Sequence, residues 1–300
     1  MKRIAIITIS LTLASIIVIV LLAVACSGLG VTCEVGNRLP LSLSNPSAAP
    51  PSVVDDATKL AIKLFGNRQK ERDDFVNQIL ATYVEAKDKH FVIIFNCGGW
   101  GVYLLEASPG WYSIVSGIQT ELASLGYESL SLSYQRTTET WRGRLDELTE
   151  MATRYPSKAK DLASRVDFLT THIPDLKVII VGESSGAIIC DSVMNILKDN
   201  PQVYSIQTGP PFWHKSNISL DRTLVIANNG IVADSVNQGD FWTITACNLK
   251  ELFGLSELRD DFGTPPHRVR APGHDYWWQY PEVYSQIMNF LNKHFGSPLL

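Results

Sequence analysis

The chain has 300 residues, 45% hydrophobic and 19% charged, with a formal net charge of −4. It carries no basic stripe to neutralise phosphates, which excludes a nucleic-acid binder. Its five cysteines (Cys26, Cys33, Cys97, Cys190 and Cys247) are too sparse for a disulfide scaffold and lack metal-ligand spacing.

Lys2 and Arg3 precede an apolar run over residues 4–25. As a helix, about 22 residues span about 33 Å, enough for a bilayer core. The basic flank predicts a cytoplasmic N-terminus with the remainder outside. Residues 1–26 therefore read as an uncleaved signal anchor. Two alternatives stay open. Ala23-Val24-Ala25 before Cys26 has the form of a bacterial lipoprotein processing site, with Cys26 lipidated. Cleavage at the same Ala-x-Ala would instead release a secreted protein. Residues 27–54 include Pro40, Pro46, Pro50 and Pro51 among serines and alanines, the composition of a tether.

Residues 55–300 are expected to form one domain. It opens with a helical extension over 55–90, whose two helices span 55–65 and 70–86. In the second, Phe75, Ile79, Leu80 and Tyr83 share a face. Strands and helices then alternate. Apolar, β-branched runs predict strands at 91–95, 130–134, 176–181, 203–207, 223–227 and 268–271. Helices are expected near 114–125, from 157, after the third strand, and from Pro281. Residues 137–156 read as irregular or loosely helical. The class is α/β: a three-layer α/β/α arrangement around a mostly parallel sheet. Right-handed crossovers gather the loops after the strands on one edge, where catalytic loops belong.

The third strand runs into Gly182-Glu183-Ser184-Ser185-Gly186, and a helical pattern follows at once. That is the form of a nucleophile elbow, a sharp strand-to-helix turn that exposes one serine. The bland alternative is a plain Gly-Ser turn. A serine hydroxyl needs a histidine to take its proton and a carboxylate to orient that imidazole. His274 follows the last predicted strand directly. His90, His172 and His267 precede or begin strands, and His294 lies in the last helix. His214 is a weaker rival. The first acid after the 223–227 strand is Asp234, with Asp240 as the alternative; Asp234 could equally be a capping aspartate. The Ser185 amide, at a helix head, is one natural oxyanion donor. The Gly98-Gly99-Trp100 backbone, through Gly99 and Trp100, can supply another. Arg136, Arg142 and Arg144 read as a solvated charged loop, with a carboxylate- or phosphate-binding role as the alternative. The tryptophans predicted at this edge either line an acyl pocket or pack core and lid.

With these motifs in place, the chain resembles the α/β-hydrolase superfamily of serine esterases and lipases over about residues 91–296. The elbow, the glycine loop at 98–101 and Gly273-His274 before the last helix carry the likeness, and the order Ser, Asp, His agrees. The resemblance implies a sheet of about eight strands, no cofactor and no metal. It also implies a small-molecule acyl substrate, whose ester, thioester or amide bond is cleaved through an acyl-enzyme. The chain departs from the pattern in several places. It lacks visible leading antiparallel strands and a large cap insertion between 207 and 223. A lid would have to come from 137–156 or 241–265. Asn96 stands where many relatives carry histidine. A binding protein on the same fold, or an acyltransferase or peptidase using the same serine, are the competing functions.

Overall fold

The computed structural model describes residues 48–137, 140–216, 220–252 and 270–296. The predicted anchor at 4–25 and both cysteines near it lie outside these residues. Among the described residues, no helix is long and apolar enough to cross a membrane.

Two helices come first, α1 (Pro51–Phe65) and α2 (Gln69–Ala86). The first helix therefore starts before residue 55, its expected start. Pro51 takes the first helical turn, where its missing N–H costs nothing. The remaining elements are β1 (Phe91–Asn96), α3 (Pro109–Ser124), β2 (Ser129–Ser133), α4 (Trp141–Ala152), α5 (Pro156–His172), β3 (Lys177–Glu183), α6 (Ser185–Ile196), β4 (Val203–Thr208), β5 (Thr223–Ile226), α7 (Ser235–Gln238), α8 (Phe241–Leu252) and α9 (Pro281–Phe295).

The five strands form one parallel sheet in the order β2-β1-β3-β4-β5. Among the described residues the sheet thus has fewer strands than the eight or so implied by the resemblance. Side chains alternate between its faces. Val92, Ile94, Val178 and Ile180 join the core beneath α1, α2, α5 and α6. Phe91, Ile93, Phe95, Ile179 and Val181 join the core beneath α3 and α9. Both faces are covered, as an all-parallel sheet requires.

The connection from β1 runs one way along the sheet and that from β3 the other, so the order reverses between these two strands. A crevice opens at the carboxyl ends of such a pair. The register pairs Asn96 with Gly182, so both strands end level. The glycine loop and the elbow therefore emerge side by side. At the opposite edge, Asp56 of α1 meets His172, the last residue of α5, at 3.4 Å. Because α5 leads into the start of β3, the chain enters the domain at the edge away from the crevice.

The strand predicted at 268–271 is not found: its described half, Arg270 and Ala271, is not in a strand. The reason is local. The Asn248 side chain on α8 accepts from the Arg270 amide at 2.9 Å and donates to its carbonyl at 2.7 Å. The backbone groups that would join a sheet ladder are already occupied.

Candidate active site

Ser184 sits between β3 and α6 at φ 53°, ψ −117°, a conformation side-chain-bearing residues rarely adopt. Such strain costs about 1–3 kcal/mol and is typical of functional sites. Its neighbours make the turn possible. A Cβ at Gly186 would lie 2.1 Å from the Asn96 carbonyl oxygen, and one at Gly182 would lie 2.6 Å from the backbone of Gly186. Both glycines are therefore close-approach positions and not merely flexible ones. Gly186→Ala is expected to lower stability by about 3 kcal/mol, because the clash is with backbone. A shift in the denaturant midpoint measures this; an unchanged midpoint would refute the tight contact.

His274 and Asp234 meet as the sequence predicts. His274 Nδ1 lies 2.8 Å from Asp234 Oδ2. The Tyr276 hydroxyl donates to the same oxygen at 2.6 Å. The other oxygen, Oδ1, accepts the amides of Val236 at 2.8 Å and Asn237 at 2.9 Å, capping α7. Asp234 thus holds His274 with one oxygen and caps α7 with the other. Asp240 is occupied elsewhere: it accepts the Thr243 amide and hydroxyl within α8.

Among the described residues no strand leads into His274; a turn carries it. The His274 amide donates to the Ala271 carbonyl at 3.0 Å, and Ser235 donates to the Pro272 carbonyl at 3.0 Å. Gly273 has φ 77°, and a Cβ there would lie 2.3 Å from the Ala233 carbonyl oxygen. The histidine turn is thus docked on the aspartate loop, which fixes the pair.

Burial works to raise the pKa of Asp234, but the His274 hydrogen bond and charge, with the Tyr276 hydroxyl and the Asn237 amide, outweigh it and hold the carboxyl below its usual range. For His274, burial works to lower the pKa, yet the Asp234 bond and charge raise it above the ordinary histidine value. The Glu183 carboxylate, one residue before Ser184, adds to that rise. Burial, then Asp234, pushes the Tyr276 hydroxyl far up, so it stays a donor.

The elbow borders this pair through the end of β4. The Ser184 amide donates to the Thr208 carbonyl at 3.0 Å. The next residue, Gly209, packs directly on the imidazole: a Cβ there would lie 2.7 Å from His274 Cε1. No hydrogen bond joins the Ser184 hydroxyl to His274. Such bonds are often long in unliganded sites and tighten with substrate.

The glycine loop flanks Ser184 from the β1 side. A Cβ at Gly98 would lie 3.3 Å from Ser184 Cβ. Gly99 and Gly101 have φ of 56° and 72°. Among the described residues, the amides of the expected donors Gly99, Trp100 and Ser185, and also that of Gly98, donate to no protein acceptor. Asn96 does not face this crevice. It is fully buried, and its side chain points back to the Ile94 and Val181 carbonyls.

Arg136 departs most from expectation. It is fully buried and pairs with Glu147 of α4 at 2.7 Å, so it does not belong to a solvated loop. That pair also ties α4 down, leaving 137–156 less suited to serve as a lid. His214 lies off the site, with Nε2 3.2 Å from Asp191 Oδ2 but poorly aimed for a hydrogen bond. The tryptophans divide. Trp111 is core, and Trp278 packs against Gly117 of α3. Trp100 and Trp213 stay exposed on loops that follow strands, and Trp242 is exposed in the first turn of α8. Residues 241–252 of the predicted lid form α8, while 253–265 lie outside the described residues. Cys190 is a buried thiol whose pKa is pushed up by burial, as a core residue should be.

No family model matches the chain, and no curated protein does. Among the solved structures to which it is similar is a Trichoderma reesei cutinase in complex with a C11Y4 phosphonate inhibitor. The two share 16% identity at a TM-score of 0.37, over 63% of this chain and 87% of that chain. At that level of likeness, the site stands on its own geometry.

Proposed function

We propose that the protein is a serine hydrolase of the α/β-hydrolase type, esterase-like, that cleaves an ester, thioester or amide of a small acyl substrate. The observation that carries this reading is the Asp234–His274 hydrogen bond, beside a strained serine at the point where the strand order reverses.

His274 takes the Ser184 proton as Oγ attacks the acyl carbon. The imidazolium is stabilised by Asp234 across Nδ1. Negative charge moves to the carbonyl oxygen, where the Ser185 amide and the glycine-loop amides act as donors. Collapse expels the leaving group, which takes the proton from His274. Water then attacks the acyl-enzyme, with His274 again as base, and Ser184 regains its proton. The apolar residues 4–25 are proposed to tether this domain outside the cytoplasm, with lipidation or release as alternatives.

A fluorophosphonate probe is expected to label Ser184, identified by the mass of its peptide adduct. The labelling rate should rise with pH through a pKa above the ordinary histidine value of 6.5, because the base works only when neutral. The missing Ser184–His274 hydrogen bond favours one rival, a non-catalytic binding protein. A folded sample that takes no label and hydrolyses no acyl ester would establish that rival.

A further inference from the structure

We propose that Arg136 is a positioning residue that aims the oxyanion donors, an inference that rests on Ser184 being the nucleophile. Its guanidinium reaches four groups. Nε donates to Glu147 Oε1 at 2.7 Å, and Nη1 donates to the Cys97 carbonyl. Nη2 donates to the Gly99 carbonyl at 2.8 Å and to Ser185 Oγ at 2.8 Å. Ser185 Oγ itself donates to the Gly99 carbonyl at 2.9 Å.

A trans peptide is planar, so a carbonyl and the next amide point in opposite directions. Gripping the Cys97 carbonyl therefore turns the Gly98 N–H away from Arg136. Gripping the Gly99 carbonyl does the same for the Trp100 N–H. With Gly99, whose amide likewise has no protein acceptor among the described residues but whose peptide oxygen, that of Gly98, is held by the Gly101 amide and not by Arg136, these are the open loop amides beside Ser184. The third donor, the Ser185 amide, belongs to the residue whose hydroxyl shares the Gly99 carbonyl. One planar cation thus sets donors from β1 and from α6 against each other.

The surroundings are built to hold this side chain still. A Cβ at Gly101 would lie 2.3 Å from Arg136 Cγ, so glycine lets the loop lie flat on the arginine. The Tyr155 ring lies 5.4 Å from the guanidinium carbon. Glu147 balances the charge and takes the Thr137 hydroxyl at 2.6 Å on its other oxygen. A lysine offers a point charge in place of a fork and would miss most of these acceptors.

The test uses the full chain and a soluble chromogenic ester. Arg136→Met combined with Glu147→Met removes the ion pair together, so no lone charge is buried. The expected result is a kcat lower by about 10²-fold with KM within about twofold, the signature of lost oxyanion donors. Arg136→Lys should fall between this and the wild type. A folded double variant with wild-type kcat, or one that raises KM alone, overturns the proposal. Ser185→Ala decides the matter if the double variant does not fold. It cuts one tie to the Gly99 carbonyl, and a fall in kcat of about 10-fold at constant KM is expected; unchanged kcat overturns the proposal. Failure of the serine reading looks different, because the wild type would then take no phosphonate. Hydrogen exchange at the Gly98 and Trp100 amides still reads the arginine's hold in that case, and equal rates in wild type and variants overturn it.

Discussion

Ser184→Ala is expected to reduce kcat by about 10⁴- to 10⁶-fold, the range seen when the nucleophile of a cooperating triad is removed. His274, Asp234 and the backbone donors remain, but no oxygen is left to form the acyl bond. Phosphonate labelling should vanish with it. The alanine keeps a Cβ at φ 53°, so it keeps the strain as well. Ser184→Gly should be equally inactive yet more stable, by about 1 kcal/mol. Relief of a cost of about 1–3 kcal/mol is partly offset by glycine's greater freedom in the unfolded chain. Chemical denaturation of the two variants side by side measures the difference. An alanine variant that retains label at full rate would remove Ser184 from the mechanism.

Asp234→Asn is expected to lower kcat by about 10⁴-fold through a tautomer error. Oδ1 of Asp234 accepts the Val236 and Asn237 amides, which an asparagine can match only with its carbonyl oxygen. The amide nitrogen must then face His274 and Tyr276. A donor opposite Nδ1 forces the imidazole to carry its proton on Nε2, so it arrives unable to accept one. The pH profile should shift too. In the wild type, Asp234 raises the His274 pKa, so activity is lost as pH falls through that raised value. Without the carboxylate, burial prevails and the residual activity should persist to lower pH. A variant with near-normal kcat and an unmoved acid limb would assign the role of Asp234 to helix capping alone.

The elbow was legible because its two glycines answer to contacts fixed at short range, one on each side of Ser184. Asp234 was legible as the first acid after β5; His274 stands out in the sequence for following the run at 268–271, yet it reaches Asp234 by a turn docked on the aspartate loop. The first two helices followed from their apolar spacing, with Phe75 and Ile79 buried as expected. Of the run predicted as a strand before His274, the described residues 270 and 271 are not in a strand, and the backbone of Arg270 is claimed by a side chain twenty-two positions upstream, Asn248. Such a pairing leaves no trace in local periodicity. Arg136 was misread for a similar reason. The stretch around it, Gln135 to Arg144, is polar apart from Trp141 and Gly143, and what pairs with the buried arginine is Glu147, eleven residues on and inside the next helix. Strand order was legible only as an expectation of parallel pairing. The reversal between β1 and β3 depends on which faces the helices choose, and no single segment encodes it.

Entry of the polypeptide at the far rim gives the molecule a back and a front. A bead, surface or bilayer coupled ahead of Pro51 would hold the reacting corner outward, toward whatever bathes or faces the protein. Attached in that way, a hydrolase of the proposed kind should work on material arriving from the open side at the speed it shows when free.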